Sequence, residues 1–311
     1  MKVLVTGSNG LVGTALKEIL GDGHIYHTKK DVDLTDEVKT KDYIKYHTQH
    51  SSIDTIIHCA AKVGGVQANS LNNQKFFIDN YLINNNVLKS AFENQIPNFV
   101  NLLSTCIFPN NNITYPLTAD QIDNGAPHPS NYGYSYAKRL SGYETNIFKN
   151  LTNFNWINVV PTNVYGPNDN FHLENSHMIP GMIHRAYLAK KNNEKFFVWG
   201  DGTPLRQFIY SKDLAKNILW ALNNWKENKH FMAINETEYT VMDMVKIITK
   251  KFNIDDDLIF DSTKPSGQFR KPAKSDIPSN YNFISIENGI TETIDWFINN
   301  YETIRKWWKL I

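Results

Sequence analysis

The chain has 311 residues, of which 41% are hydrophobic and 13% aromatic, which is enough apolar material for one large domain or two smaller ones. Its 32 Lys and Arg residues nearly balance its 31 Asp and Glu residues, and the net charge of +1 excludes the basic surface of a typical nucleic-acid-binding protein. No apolar run reaches the ~18 residues that a membrane span needs, and two cysteines are too few for a disulfide scaffold. We therefore expect a cytoplasmic protein with neither a nucleic-acid nor a membrane partner.

Strand-like and helix-like segments alternate through the first half of the chain. Short apolar runs typical of buried strands lie at 2–6, 24–28, 54–60, 98–103 and 155–161. Segments with the helical spacing of apolar residues lie at 10–20, 79–94 and 135–150. This alternation predicts βαβ units and hence an α/β fold, a Rossmann-type doubly wound parallel sheet with helices on both faces.

The alternation loosens after Pro161, where long loops rich in Gly, Pro and Asn lie at 162–177 and 261–276. Helical patterns recur at 177–191, 211–223, 240–252 and 284–309. We predict a Rossmann domain at 1–165, to which 208–235 return, and a smaller, mixed α/β substrate-binding domain formed by 166–207 and 236–311. The segment KWWKL at 306–310 is predicted to end an amphipathic helix packed on the protein, in preference to one lying on a membrane.

A glycine-rich turn separates the first strand from the first helix. Gly7, Gly10 and Gly13 have the spacing G-x-x-G-x-x-G, which allows a tight turn and close approach of the backbone to a pyrophosphate at the helix N-terminus. The turn predicts a dinucleotide site, to which the neighbouring residues Asn9, Leu11 and Val12 also belong.

The end of the second strand indicates which dinucleotide binds. The strand runs into Thr28, Lys29 and Lys30, with no carboxylate at its tip to hold the ribose 2′-hydroxyl of NAD. Two ammonium groups favour a 2′-phosphate, which predicts NADPH, although the lysines could also belong to a solvated loop. Two groups complete this part of the predicted site: Asp33 and Leu34 at the adenine edge, and the strand-end residues Ala60, Ala61 and Lys62.

A second motif predicts carbonyl reduction. Tyr134 and Lys138 are four residues apart at the start of a helix and therefore share a helix face, where the ammonium is expected to lower the pKa of the tyrosine from ~10. Such a tyrosine passes a proton to a carbonyl oxygen while hydride arrives at the carbon. Ser104, at the end of a parallel strand about 30 residues upstream, is placed to hold the same oxygen.

Four longer segments carry a family resemblance: STCIFP, PHPSNYGYSYAKR, PTNVYGPNDNFHLENSHMIP and VWGDGTPLRQFIYSKDLA. With the glycine-rich turn they resemble the GDP-L-fucose synthase family of extended short-chain dehydrogenases/reductases, from Gly7 to about Lys271. The resemblance implies NADPH as cofactor and GDP-4-keto-6-deoxy-D-mannose as substrate. It implies epimerisation at C3 and C5 followed by reduction at C4. It also implies a homodimer in which the helices at 79–94 and 135–150 pack as a four-helix bundle.

The resemblance also implies roles for individual residues. Ser104, Tyr134 and Lys138 resemble the reductase triad, and Cys106 and His177 resemble the acid/base pair of the epimerisation. Further residues implied in the cofactor site are Leu103, Pro161, Asn163, Val164 and His177. Residues implied in contacts with the substrate or its diphosphate are Ser104, Cys106, Asn163, Arg185, Trp199, Arg206 and Lys271. Some bacterial members have an arginine in the glycine turn, where this chain has Asn9 and Leu11, so the preference for NADP rests on Lys29 and Lys30.

The chemistry explains why a thiol and an imidazole are needed. Protons on C3 and C5, which flank the keto group, are acidic, and inverting either carbon requires a base on one face and an acid on the other. Cys106, two residues after Ser104, suits the base, and His177 suits the acid. Without the resemblance both would be read as structural residues, as Cys59, His172 and His184 are. No Cys or His spacing indicates a metal site.

Several alternatives remain open at this point. The enzyme could act on a related GDP-4-keto sugar, such as a dideoxy sugar or a heptose, or could be a plain C4 reductase. A non-catalytic NADPH-binding protein is disfavoured because Ser104, Tyr134 and Lys138 are all present. A 4,6-dehydratase is disfavoured because Cys106 and Ile107 follow Thr105 where an acidic pair is expected.

Overall fold

The computed structural model describes residues 1–255, 258–261 and 269–304. The segment KWWKL at 306–310 therefore lies outside the described residues. In chain order the strands are β1 (Val3–Thr6), β2 (Ile25–His27), β3 (Thr55–His58), β4 (Asn98–Leu102), β5 (Asn155–Pro161), β6 (Asn163–Tyr165), β7 (Phe196–Trp199), β8 (Leu205–Tyr210), β9 (Phe231–Ala233), β10 (Glu238–Thr240) and β11 (Leu258–Asp261). The helices are α1 (Leu11–Leu20), α2 (Glu37–Ser51), α3 (Val66–Leu71), α4 (Asn73–Glu93), α5 (Tyr132–Thr152), α6 (Met178–Asn192), α7 (Ser211–Asn224), α8 (Val241–Phe252) and α9 (Ile286–Asn299).

The central sheet has six strands in the order β2-β1-β3-β4-β5-β9, and every neighbouring pair is parallel. Side chains alternate between its faces, so Val3 and Val5 pack under α1 and α7 while Leu4 packs toward α2 and α4. The predicted α/β class with a Rossmann-type parallel sheet is confirmed. Because all strands run the same way, their carboxyl ends meet at one edge, which is where such sheets bind ligands.

A second hydrophobic core lies in the later part of the chain. It gathers apolar side chains of α6, α8 and α9 with those of β7 and β8, from Phe171 through Ile183 and Phe196 to Phe297. Beside it lie a three-stranded sheet in the order β10-β8-β6 and a two-stranded sheet of β11 and β7. The return of β9 to the central sheet is consistent with the predicted domain bounds, which remain a prediction.

The structure differs from the predicted elements at several places. Helix α2 was not predicted because its sequence, EVKTKDYIKYHTQHS, buries only Thr40 and Ile44 and has weak apolar periodicity. Helix α4 begins at Asn73, well before the predicted residue 79, and α5 begins at Tyr132, which places Tyr134 in its first turn. Helix α9 ends at Asn299, whereas the pattern predicted helix to residue 309. None of the helices in the described ranges combines the length and the apolarity needed to cross a bilayer.

Candidate active site

The glycine-rich turn leaves no room for a side chain at Gly7 or Gly13. Gly7 has a φ of +68°, and a Cβ there would lie 2.8 Å from the Cα of Ala60. A Cβ on Gly13 would lie 2.3 Å from the carbonyl oxygen of Gly7. Helix α1 then begins after Gly10 with no side-chain cap and no acidic residue in its first turn. The positive end of the helix dipole is therefore available to a diphosphate, which fits the predicted cofactor.

The end of β2 corrects one expectation. The carboxylate of Asp31 folds back to the strand end, where it accepts hydrogen bonds from the backbone N–H and the hydroxyl of Thr28 at 2.7 and 2.9 Å. The expectation that no carboxylate lies at the end of β2 was wrong. It considered only the residues directly at the strand end and not Asp31, which folds back to Thr28 from three positions later. The ammonium of Lys29 lies 3.1 Å from the carboxylate of Asp33, so a 2′-phosphate would compete with an existing ion pair. Lys30 is exposed, and Leu34 is buried with its carbonyl bonded to Asn86.

The end of β3 is fastened to its neighbours by polar side chains. The ring of His58 lies between the hydroxyl of Thr6, 2.8 Å from Nδ1, and the amide oxygen of Asn84, 3.1 Å from Nε2. Burial lowers the pKa of His58 to about 3, so the ring is neutral. The N–H of Ala60 donates to Thr6, and the ammonium of Lys62 pairs with Asp79 of α4 at 2.7 Å. The predicted cofactor loop thus has a fixed backbone.

The predicted reductase residues meet where β4 ends and α5 begins. Lys138 is buried, and its Nζ donates to the carbonyl oxygen of Leu102 at 2.7 Å. Burial lowers the pKa of Lys138 to about 8. The pKa of Tyr134 is raised, chiefly by burial and then by the charge of an ionised Cys106. The expected lowering of the tyrosine pKa by Lys138 is not observed, because the ammonium is directed at Leu102. A phenol that stays neutral is suited to donating a proton.

Cys106 lies in a 3₁₀ turn, Thr105–Ile107, directly after β4. The hydroxyl oxygen of Ser104 caps this turn by accepting from the N–H of Cys106 at 3.2 Å, which leaves its own proton free to be donated. An ionised Cys106 raises the pKa of Lys271, whereas burial, the largest cause, and the charge of Arg139 lower it. Lys271 therefore lies near Cys106. Burial raises the pKa of the other cysteine, Cys59, to about 12, which agrees with a structural role.

His177 is the N-cap residue of α6 and makes no side-chain capping bond. It is reached by solvent, yet enough protein surrounds the imidazole for burial to lower its pKa. The loop before it rests on the loop that follows β3, because the N–H of Gly65 donates to the carbonyl of Asn175 at 2.9 Å. His177 thus lies beside the predicted cofactor loop, and its role opposite Cys106 stays a prediction.

Two of the residues predicted to contact the substrate or its diphosphate are the arginines Arg185 and Arg206. The guanidinium carbon of Arg185 lies 5.4 Å from the ring centre of Trp199, and its buried Nε has no hydrogen-bond partner within the described residues. A buried guanidinium N–H of this kind is suited to a phosphate oxygen. Arg206 donates to the carbonyls of Leu205 and Phe269 at 2.8 and 3.3 Å. Asn163 donates to the carbonyl of Gln207 at 2.8 Å.

Sequence reasoning missed two groups that the structure places at this site. Arg139 contacts the turn that holds Cys106, although its only sequence signal was that it follows Lys138. Gly65 contacts the loop that holds His177, although the sequence marks it only as one of two adjacent glycines after β3. Across the described ranges, no three His, Cys, Asp or Glu side chains are grouped as metal ligands would be.

Comparison with known proteins agrees with this geometry. The model of the NAD dependent epimerase/dehydratase family matches residues 3–235. The chain is 41% identical to a GDP-L-fucose synthase of Dictyostelium discoideum, over 98% of this chain and 97% of the relative. It is 32% identical to a GDP-L-colitose synthase of Yersinia pseudotuberculosis, over 96% of this chain and 98% of the relative.

Among solved structures, the chain is similar to a GDP-L-fucose synthetase from Naegleria fowleri bound to NADP. The TM-score is 0.89 at 33% identity, over 98% of this chain and 94% of the other. The resemblance inferred from the sequence segments is thereby confirmed. The chain belongs to the NAD dependent epimerase/dehydratase family and, within it, to the GDP-L-fucose synthases.

Proposed function

We propose that the protein is an NADPH-dependent GDP-L-fucose synthase, which converts GDP-4-keto-6-deoxy-D-mannose to GDP-L-fucose by epimerising C3 and C5 and reducing C4. The observation that carries the proposal is the grouping of Ser104, Cys106, Tyr134 and Lys138 where β4 meets α5. Reduction needs only the first, third and fourth of these. Epimerisation also requires a base, and the thiol of Cys106 beside these three residues can supply it.

The chain's own residues fit NADP(H). The backbone between Gly7 and Gly13 and the uncapped start of α1 would hold the pyrophosphate. The exposed Lys30, and Lys29 once its exposed ion pair with Asp33 opens, would hold the 2′-phosphate. When bound, NADPH supplies the hydride for C4. Tyr134, whose pKa burial raises, keeps its proton at neutral pH and supplies it to the C4 oxygen. Lys138, one turn after Tyr134 on α5, holds the end of β4 through its ammonium.

In the epimerisation, Cys106 as thiolate removes a proton from C3 or C5 on one face of the sugar. The electron pair moves onto the C4 oxygen as an enolate, which Ser104 and Tyr134 stabilise by hydrogen bonds. His177 returns a proton to the carbon from the other face as the carbonyl re-forms. Because burial lowers the pKa of His177, its protonated form gives up a proton readily. Once Cys106 has released its proton to solvent and His177 has taken one up from solvent, the second carbon follows the same course, and reduction then fixes the configuration.

A specific observation favours a second candidate function. Identity of 32% to a GDP-L-colitose synthase leaves a related GDP-4-keto sugar as a possible substrate for this chain. The two candidates share the keto group at C4 and the acidic proton at C5, so they differ in which sugar turns over fastest and not in the residues that act on C4 and C5.

We also propose a homodimer formed through α4 and α5. These two helices expose a row of large apolar side chains: Ile78, Tyr81, Tyr132, Leu140, Tyr143, Ile147 and Leu151. A groove of about 480 Å³ with almost wholly apolar walls, lined by Phe77, Tyr132, Tyr136 and Leu140, runs between them. Contiguous apolar surface of this kind marks protein–protein contact. A cytoplasmic location is likewise proposed, on the grounds that both cysteines are free.

The proposed function is tested by supplying GDP-4-keto-6-deoxy-D-mannose and NADPH in D2O. We expect oxidation of NADPH and a product with the L-fucose configuration that carries deuterium at C3 and C5, as measured by absorbance, mass and NMR. NADPH oxidation without deuterium at either carbon would reduce the activity to a plain C4 reductase. Faster turnover of a 3-deoxy keto sugar would favour the second candidate.

The thiol is tested by Cys106→Ser. We expect deuterium exchange at the sugar carbons to fall about a hundredfold or more, because a serine hydroxyl ionises far less readily than a thiol, while NADPH binds as before. The matched control is Cys59→Ala, which removes the other thiol and should leave exchange intact. Exchange in Cys106→Ser equal to that of the wild type would remove the cysteine from the mechanism.

A further inference from the structure

We propose that Arg139 is a positioning residue, whose guanidinium fixes the turn carrying Cys106 to the helix carrying Tyr134, so that the thiol base and the proton donor keep one geometry. This inference deepens the proposed function and rests on it. It concerns a residue that contacts neither the sugar nor the cofactor in the proposal above.

The guanidinium of Arg139 clamps the end of the 3₁₀ turn. Arg139 is 7% exposed, on α5 immediately after Lys138. Its Nε donates to the carbonyl oxygen of Ile107 at 3.1 Å, and its Nη2 donates to the same oxygen. Ile107 is the last residue of the turn that begins at Thr105. Two donors on one acceptor hold that carbonyl in the plane of the guanidinium, which a single ammonium donor does not do.

The remaining donor reaches the loop that follows the turn. The Nη1 of Arg139 donates to the carbonyl oxygen of Gly125 at 2.9 Å. The two ends of this loop are joined where Pro109 pairs with Pro127 and where the N–H of Asn110 donates to Ala126 at 2.9 Å. One buried side chain therefore connects α5 with the Cys106 turn, 32 residues away in sequence, and with the loop that follows that turn.

Lys138 and Arg139 together bracket the two reactive groups. Lys138 holds the carbonyl of Leu102 at 2.7 Å, before Ser104, and Arg139 holds the carbonyl of Ile107, after Cys106. The chain between these two carbonyls carries both the hydroxyl and the thiol. Adjacent residues of one helix thus fix both ends of this short segment relative to Tyr134, which lies one turn earlier on the same helix.

Charge adds to the geometry. Arg139 and Lys271 are near enough that the arginine's charge lowers the lysine's pKa, while an ionised Cys106 raises it. The end of the Cys106 turn therefore lies near two cations, Arg139 and Lys271. Removing Arg139 removes both a clamp and one of these charges.

The test compares Arg139→Lys and Arg139→Ala with the wild type in the D2O assay. We expect the rate constant for deuterium exchange to fall about tenfold in Arg139→Lys and further in Arg139→Ala, with a smaller change in KM and unchanged binding of NADPH, because a displaced base slows the step more than it weakens binding. Millimolar guanidinium chloride should restore part of the exchange in Arg139→Ala, which loss of stability alone would not allow.

The matched control is Asn155→Ala. The side chain of Asn155, the first residue of β5, donates to the carbonyl oxygen of Leu222 on α7 at 2.8 Å and so also joins two elements. This contact lies at the amino end of β5, away from the strand ends that carry the candidate active site. The Asn155→Ala variant should be less stable than the wild type but should keep the wild-type rate of deuterium exchange at the sugar carbons. Full exchange in Arg139→Ala, with the wild type active, would overturn the role of Arg139 alone, whereas a wild type without any exchange would overturn the proposed function.

A second measurement needs no substrate. Amide hydrogen exchange of a peptide covering 104–109 should be faster in Arg139→Lys than in the wild type, while a peptide from β5 is unchanged. The same protection in both proteins would overturn the clamp, whatever the activity.

Discussion

At the level of single residues, burial changes two neighbouring ionisable groups in opposite directions. It lowers the pKa of Lys138 to about 8 and raises that of Tyr134. Both shifts are toward the neutral form, so the tyrosine retains its proton at neutral pH, while the lysine is still an ammonium there but loses its proton at a lower pH than usual. The spacing of the two residues predicted that they would act together, but spacing alone could not show that the ammonium faces Leu102.

This predicts how reduction depends on pH. The ammonium of Lys138 is present below a pKa of about 8 and is lost as pH rises through that value, so kcat/KM should be level near neutrality and fall above about 8. In Lys138→Arg, whose guanidinium keeps its charge up to pH ~12, the decline should disappear even if the activity is lower. Initial rates of NADPH oxidation across this pH range measure both. A decline at the same pH in both proteins would assign it to another group.

At the level of elements, the predictions succeeded where a local pattern determined the structure. The glycine-rich turn correctly predicted where β1 ends and α1 begins. The expectation that ligands bind at the carboxyl ends of parallel strands correctly predicted that Ser104 lies near the start of α5. Helix α2 escaped prediction because its buried face is formed by Thr40 and Ile44 alone. The bonds from Arg139 to Ile107 were equally invisible, since they join residues 32 positions apart and depend on how α5 packs.

The loop after β3 shows how one element positions another. A Cβ on Gly65 would lie 2.5 Å from the backbone carbonyl oxygen of Ser176, the residue before His177. A side chain at position 65 would therefore push apart the loop after β3 and the loop that carries Ser176 and His177. The short distance between the cofactor loop and the histidine loop therefore depends on a glycine at this position.

We accordingly expect Gly65→Ala to displace the loop carrying His177 and to lower deuterium exchange at the sugar carbons about tenfold. The control is Gly21→Ala, where φ is +71° and a Cβ meets nothing within 4 Å, so strain is introduced without a clash. Both variants should lose stability, but only the first should lose exchange. Equal exchange in the two variants would show that the contact between the loops does not position His177.

At the level of the whole molecule, helix α5 has a buried side at the candidate active site and an exposed apolar side. On its inner side Lys138 and Arg139 are buried and hold the carbonyls of Leu102 and Ile107, and on its outer side α5 exposes Leu140 and Ile147. The sequence predicted the helix and, through its family resemblance, the association. The groove between α4 and α5 could not be predicted, because it depends on where α4 begins.

The proposed dimer is tested by introducing charge on this face. The double variant Leu140→Asp, Ile147→Asp places carboxylates at positions that are 41% and 58% exposed in one chain, and like charges facing each other should leave it monomeric. Val38→Asp, on α2 and 68% exposed, should stay dimeric. Light scattering at micromolar protein distinguishes the outcomes. A monomeric wild type would contradict the dimer.

The two faces of α5 have a practical consequence for comparing variants. A substitution on the outer side of α5 affects the same helix that aligns Tyr134 with Cys106. It can therefore alter turnover without contacting the sugar or the cofactor. Kinetic data on such variants are therefore interpretable only when every sample has the same degree of self-association.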